Sequence, residues 1–164
     1  MKFLVDAMLG KLARFLRIFG YDTVFANDLK SYYNVDPVPD DLLKEYAENN
    51  NRIIITKDYP FYKRVKKKIV FLEGHNVYDY LKQLKAKLGL EFSFNMEKAR
   101  CSECNSPLRR VTNISEISNK LEPGTLKNYT QFYQCLNPKC KKIFWEGSHI
   151  LDILSRMRRN SIID

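Results

Sequence analysis

Residues 2–28 read KFLVDAMLGKLARFLRIFGYDTVFAND and set the pattern for the first half of the chain. Phe3, Leu4 and Val5 are a short strand-like run that ends on Asp6. Beyond it Met8, Leu12, Phe15, Leu16 and Phe19 recur at helical spacing, and Gly20 supplies the stop. Lys11, Arg14 and Arg17 fall outside that stripe, and Arg17 is expected to be solvated. A second strand, YDTVFA, runs into Asn27–Asp28.

The alternation continues downstream. A loop with Pro37 and Pro39 leads to Asp40 or Asp41, the expected N-cap of a helix over 41–49. RIIITKD (52–58) is a β-branched run suited to a central strand covered on both faces. KKIVFLE (67–73) reads as a fourth strand. VYDYLKQLKAKLGL (77–90) is an amphipathic helix with Val77, Leu81, Leu84 and Leu88 on one face. Strands alternating with helices at this spacing predict an α/β domain with a parallel, doubly wound sheet over residues 1–90. Residues 91–100 lose the rhythm and read as a linker or a bridging segment. Residues 101–150 form a separate unit holding two cysteine pairs and the strand-like runs QFYQC and KIFW. A final helix starts near His149, and residues 151–164 read as a basic C-terminal helix or tail.

The 164 residues suffice for one good core, or for a domain with a small appendage. Formal net charge is +9, divided as +5 over residues 1–90 and +4 over residues 91–164. Charge spread this way favours a polyanionic partner such as RNA, DNA or an anionic surface. No apolar run reaches membrane-spanning length, so no membrane association is expected. The N-terminus lacks the pattern of a secretory signal, and the expected location is cytoplasmic.

Functional groups in open parallel sheets collect at the carboxyl ends of the strands. Asp6, Asp28 and Asp58 follow the first three strands, and Asp40 opens the helix leading into the third. Asp41 is the alternative to Asp40, and Glu73 ends the fourth strand. Asp6 and Asp58 carry no evident capping role, whereas Asp22 and Asp36 read as surface or turn residues. Gathered carboxylates repel one another, and a hard dication relieves the repulsion. Such oxygen ligands suit Mg²⁺ or Mn²⁺, whose chemistry includes phosphodiester cleavage. Lys11, Lys57, Lys63 and Arg64 lie close in sequence to these acids and could hold phosphates.

Cys101 and Cys104 are spaced C-x₂-C, and Cys135 and Cys140 are spaced C-x₄-C, with thirty residues between the pairs. Two thiolate pairs can close a tetrahedral Zn²⁺ site, and four protein ligands leave no open position, so the expected zinc is structural. Tyr133, Phe144 and Trp145 read as packing of this small unit, with base stacking as the alternative.

FLVDAMLGKLARFLRIFGYDTVFAND, RIIITKD and CSEC…FWEGSH occur in that order and together resemble the Mut-seven C-terminal RNase domain family. The resemblance implies a PIN-like, three-layer nuclease domain with an appended zinc ribbon, acting as a metal-dependent ribonuclease. Asp6 and Asp58 match its strand-end acids, Asp28 its "ND" position, Asp40 the acid before the helix, and Lys11 the lysine of MLGKLAR. His149 falls in the WEGSH motif. The candidate RNA contacts are Arg14, Lys57, Lys63, Arg64, His149, Arg156, Arg158 and Arg159. The expected partner is RNA or an RNA-containing assembly such as the ribosome. The alternative is an RNA- or ribosome-binding module that keeps the fold without turnover. Two features depart from the family pattern: CLNPKC is wider than the usual CxxC, and the loop LKSYYNVDPVPD is long.

Overall fold

Alternate residues of a strand face opposite ways, and here both faces are covered. A computed structural model describes residues 1–164. Strands β1 (Lys2–Val5), β2 (Asp22–Phe25), β3 (Ile53–Thr56) and β4 (Ile69–Phe71) form one sheet. Its order is β2-β1-β3-β4 and every pairing is parallel. Phe3, Val5 and Ile55 pack in one apolar cluster with α1 (Gly10–Ile18), α5 (Val77–Leu88) and α7 (Ser148–Arg159). Leu4 and Ile54 pack in another with Leu29, α3 (Asp40–Asn49) and α4 (Tyr59–Arg64). The chain therefore adopts the expected three-layer α/β arrangement. Burial on both faces explains why RIIIT shows no polar alternation.

Local chemistry shifts several expected boundaries. Asp6 caps a 3₁₀ turn over Ala7–Leu9, and α1 begins only at Gly10. The tighter turn rotates Met8 out to solvent and puts Leu9 in the core in its place. Pro39, in extended conformation, takes the N-cap position of α3, so neither Asp40 nor Asp41 is the cap; Asp40 is the first helical residue. Acids in a first helical turn are still favoured by the helix dipole. A four-residue α2 (Lys30–Tyr33) and α4 escaped the sequence reading. Asp58 followed by Pro60 was the signal for α4, a capping acid with proline inside the first turn.

Residues 91–100, which follow the first unit, are packed against it. Phe92, Met96 and Ala99 are buried, and the Phe19 ring meets Phe92 edge-on at 5.5 Å. Gly20 makes this approach possible, since it has φ +86° and a Cβ there would lie 2.8 Å from the Lys98 carbonyl.

A second, antiparallel sheet contains β5 (Leu108–Arg110), β6 (Tyr133–Cys135) and β7 (Ile143–Phe144) in that order. Between β5 and β6 lie two 3₁₀ turns and α6 (Pro123–Asn128), with Val111, Ile117 and Phe132 as a small core. Helix α7 then returns to the first unit: Ile153, Leu154, Met157 and, beyond it, Ile162 share the cluster of Phe3 and Val5. The basic C-terminal helix is thus a wall of the main core as well as a charged surface. No helix is long and apolar enough to cross a membrane.

Candidate functional site

From β1 the chain crosses to β2 on one side, then returns to β3 on the other. The crevice outside the carboxyl ends of β1 and β3 is thus the point where strand order reverses, the usual ligand position in such sheets. Asp6 and Asp58 sit there, linked through Thr56. Asp6 is buried; its Oδ1 accepts the Ala7 N–H at 2.6 Å and its Oδ2 accepts the Thr56 hydroxyl at 2.6 Å. Thr56 Oγ1 in turn accepts the Asp58 N–H at 2.9 Å. Asp58 Oδ1 accepts the Phe61 N–H at 2.8 Å and caps α4. Both acids therefore do cap, contrary to expectation, because a turn or helix starts directly after each strand. Asp58 Oδ2 has no protein donor.

Asp40 reaches the same place from α3 and pairs with Arg64 of α4. Burial pushes its pKa up, Arg64 pulls it down, and the charges of Asp58 and Asp6 push it up again; the net shift is upward. Asp6, Asp40 and Asp58 thus share one electrostatic neighbourhood. Asp41 and Glu73 are exposed.

Asp28 has different surroundings. Its Oδ2 accepts Arg17 Nη2 at 2.5 Å and the Phe25 N–H at 3.1 Å. Arg17, expected in solvent, is 2% exposed. Its Nε donates to the Thr23 carbonyl at 2.8 Å, and its Nη1 donates to the carbonyls of Ser102 and Glu103, each at 3.0 Å. A guanidinium can be buried only when its donors are used, and these carbonyls come from the turn between Cys101 and Cys104. Asn105 adds a second tie, donating to Asp22 Oδ1 at 2.7 Å and accepting the Thr23 N–H at 2.9 Å. Asp22, expected as a surface or turn residue, also pairs with Arg52 at 2.8 Å. Burial raises its pKa, but Arg52 and Asn105 outweigh that and hold it below the ordinary value.

The candidate cations divide into groups. Lys63 lies 5.4 Å from the Tyr59 ring, and Arg64, next to it on α4, pairs with Asp40 at the acid edge. Lys57 is committed elsewhere, donating to the Gly74 carbonyl at 2.8 Å and to Tyr80 Oη at 3.0 Å. Lys11, Arg14 and His149 line a cleft between α1 and the cysteine unit. Arg156 pairs with Asp152 on the outside of α7, Arg158 donates to the Asp164 carbonyl, and Arg159 is exposed.

All four cysteines are free thiols, and their sulfurs lie within 4.8 Å of one another. Cys101 and Cys140 are 3.7 Å apart, and Cys104 and Cys135 are 3.4 Å apart. Tetrahedral Zn–S bonds of ~2.3 Å would set sulfurs ~3.8 Å apart, so the cluster fits zinc. The wide C-x₄-C spacing does not prevent closure, because a turn from Asn137 to Cys140 takes up the extra residues. Burial opposes ionisation of Cys104, but hydrogen bonds involving Ser106, Cys135 and Asn137 bring it down to about 6. Burial pushes Cys135 up to about 11, and Cys101 is raised as well.

The family model described as Mut7-C RNAse domain matches residues 1–157. The chain belongs to this family. The match spans the parallel sheet, the cysteine unit and most of α7, in agreement with the resemblance carried by residues 2–28, 52–58 and the CSEC…FWEGSH elements. The family name is that of a nuclease. No curated protein and no solved structure matches the chain.

Thr56 and Arg17 are the residues the sequence reading missed. Thr56 was visible as a hydroxyl two residues before Asp58 on a strand end. Arg17 gave no signal, since its partners lie up to 86 residues away.

Proposed function

We propose that the protein is a metal-dependent ribonuclease that hydrolyses RNA phosphodiester bonds at the edge formed by Asp6, Asp40 and Asp58. The observation that carries this reading is the convergence of three carboxylates at the switch point of the sheet, in a chain of an RNase-domain family. The donor set fits a hard dication: the atoms are carboxylate oxygens, Asp58 Oδ2 and Asp40 Oδ1 have no protein donor, and burial, with the charges of Asp58 and Asp6 added, raises Asp40 despite Arg64. Bound Mg²⁺ or Mn²⁺ would supply Lewis-acid activation of water and charge neutralisation at the phosphate.

The chain's own residues divide the remaining work. Asp6, held by two short hydrogen bonds, keeps a single orientation. Thr56 couples it to Asp58. Asp40, held by Arg64, would complete the oxygen set around the cation. Asp28 and Lys11 belong to the side where the RNA approaches. Lys63 stands ready for a neighbouring phosphate, while Arg64 stays paired with Asp40. The cysteine cluster, closed by four sulfurs around zinc, rigidifies the ribbon without entering the chemistry. Arg156, Arg158 and Arg159 add electrostatic attraction for RNA.

The test is cleavage of labelled single-stranded RNA with Mn²⁺ by wild type and Asp6→Asn. The substitution should lower the rate at least ~10²-fold, the scale of losing one preorganised electrostatic partner. Equal rates would remove Asp6 from the chemistry. A second reading, RNA binding without turnover, draws on one observation: Arg17 and Arg64 already neutralise Asp28 and Asp40. RNA binding without cleavage in any divalent metal would favour it.

A further inference from the structure

Between α1, the β6–β7 side of the cysteine unit and the start of α7 lies a cleft of about 980 Å³. That volume is on the scale of a small-ligand site. Five cationic side chains line it, Lys11, Arg14, Arg17, Arg100 and Lys142, against two carboxylates, Asp28 and Glu103. Arg17 is consumed by its buried contacts. Arg14 and Lys142 are exposed around a shared Glu103, and Lys11 has no ion-pair partner. The positive charge is therefore presented outward.

Aromatic rings and aliphatic side chains form the rest of the wall. Phe25 comes from β2, and Phe144 and Trp145 from β7 and the turn after it. Two glycines in the lining let these rings lie where they do. A Cβ at Gly10 would lie 3.1 Å from Phe25 Cζ, and one at Gly147 would lie 2.6 Å from Trp145 Nε1. Rings beside outward cations form the combination that holds single-stranded nucleic acid, since a base offers a π face only when unstacked. The cleft also adjoins the acid edge through the chain itself: Gly10 and Lys11 follow the 3₁₀ turn that Asp6 caps. Asp28, on its wall, keeps Oδ1 without a protein donor and can accept from a base edge or a ribose 2′-hydroxyl.

We infer that this cleft is a subsite for one unpaired nucleotide of an RNA strand, its base against Phe144 and Trp145 and its phosphate against Lys11 and Arg14. The inference takes RNA as the ligand from the ribonuclease reading, but it concerns binding and survives without turnover. Trp145 is the only tryptophan in the chain and lies between the cleft and the rings of Tyr129 and Phe132, so its emission reports on this wall.

The experiment titrates Asp6→Asn protein, without added divalent metal, with a single-stranded oligouridylate and with a duplex of equal length. Saturable quenching of Trp145 by the single strand, and none by the duplex, is the expected result. Arg14→Ala and Phe144→Leu should each weaken binding about 10-fold, the scale of one base stack or phosphate contact. Arg14 is an exposed helix residue, so its variant folds even if Phe144→Leu disturbs the ribbon, which retained zinc in native mass spectrometry would check. RNA binding with unchanged Trp145 emission, duplex quenching equal to that of the single strand, undiminished affinity in Arg14→Ala, or no RNA binding at all would each overturn the subsite. Quenching without cleavage by wild type would overturn the nuclease reading and leave the subsite standing. Normal cleavage without quenching would do the reverse.

Discussion

The cysteine cluster and the carboxylate edge both gather ligand atoms, but one is closed and the other open. Four sulfurs crowd within 4.8 Å on two short turns of one small unit. The three carboxylates come from β1, α3 and the end of β3, and two of them are steadied by a hydroxyl and backbone N–H groups. A four-sulfur site has no position left for substrate, whereas the acid edge keeps an oxygen without a donor and an acid of raised pKa. The closed site suits holding a shape, and the open one suits exchanging a ligand. Arg17 ties the cysteine unit to the sheet: its guanidinium spans from Asp28, beyond β2, to the carbonyls between Cys101 and Cys104.

The largest way to break this contrast is Cys135→Ser. Structural zinc in small domains is worth about 10 kcal/mol or more of apparent binding free energy. Native mass spectrometry should show one zinc per chain for wild type and none for the variant, with the ribbon's tertiary signals lost. A zinc-free wild type, prepared without chelator, would end the structural-zinc assignment.

Arg17→Met tests the joint between the cysteine unit and the sheet. It leaves three carbonyls and Asp28 without their donor, and the expected loss is about 2–4 kcal/mol, read from urea unfolding. A loss below about 0.5 kcal/mol, normal for a surface change, would mean that the ribbon is docked by other contacts.

Asp58 allows capping to be separated from ligand chemistry. Asn caps about as well as Asp, while Ala costs about 1 kcal/mol. Asp58→Asn should therefore keep the melting temperature and lose Mn²⁺ binding by calorimetry, and Asp58→Ala should lower both. If Asp58→Asn binds Mn²⁺ like wild type, Asp58 is only a cap.

The smallest effect is the pH dependence of Asp40. Its pKa in the fold is raised, first by burial and then by Asp58 and Asp6 against the opposing pull of Arg64. Between the ordinary carboxylate value and the raised one, the folded protein keeps a proton that the unfolded chain has lost. Stability without divalent metal should therefore fall as pH rises across that window and level off above it. Affinity for Mn²⁺ should rise over the same window, because a carboxylate ligand must be deprotonated. In Asp40→Asn both slopes should flatten, and unchanged slopes would assign them to another group.

Much of this architecture was legible in local patterns. Strand and helix periods, the stop at Gly20, the strand-end acids and the two cysteine pairs are short-range features, and each survives in the structure. They identify the parallel sheet, the edge where its acids emerge and the thiol cluster, because period and spacing alone dictate which side chains share a face or a turn. Three matters were left to the tertiary structure. Which acids meet depends on α3 and α4 folding back over the edge, which groups Asp40 with Asp6 and Asp58 and leaves Asp28 with Arg17. The burial of Arg17 depends on carbonyls 85 and 86 residues away. The cleft exists only because α7 returns to the first core and sets the ribbon beside α1. Such contacts join distant segments, and no local period encodes which distant partner will satisfy a buried donor.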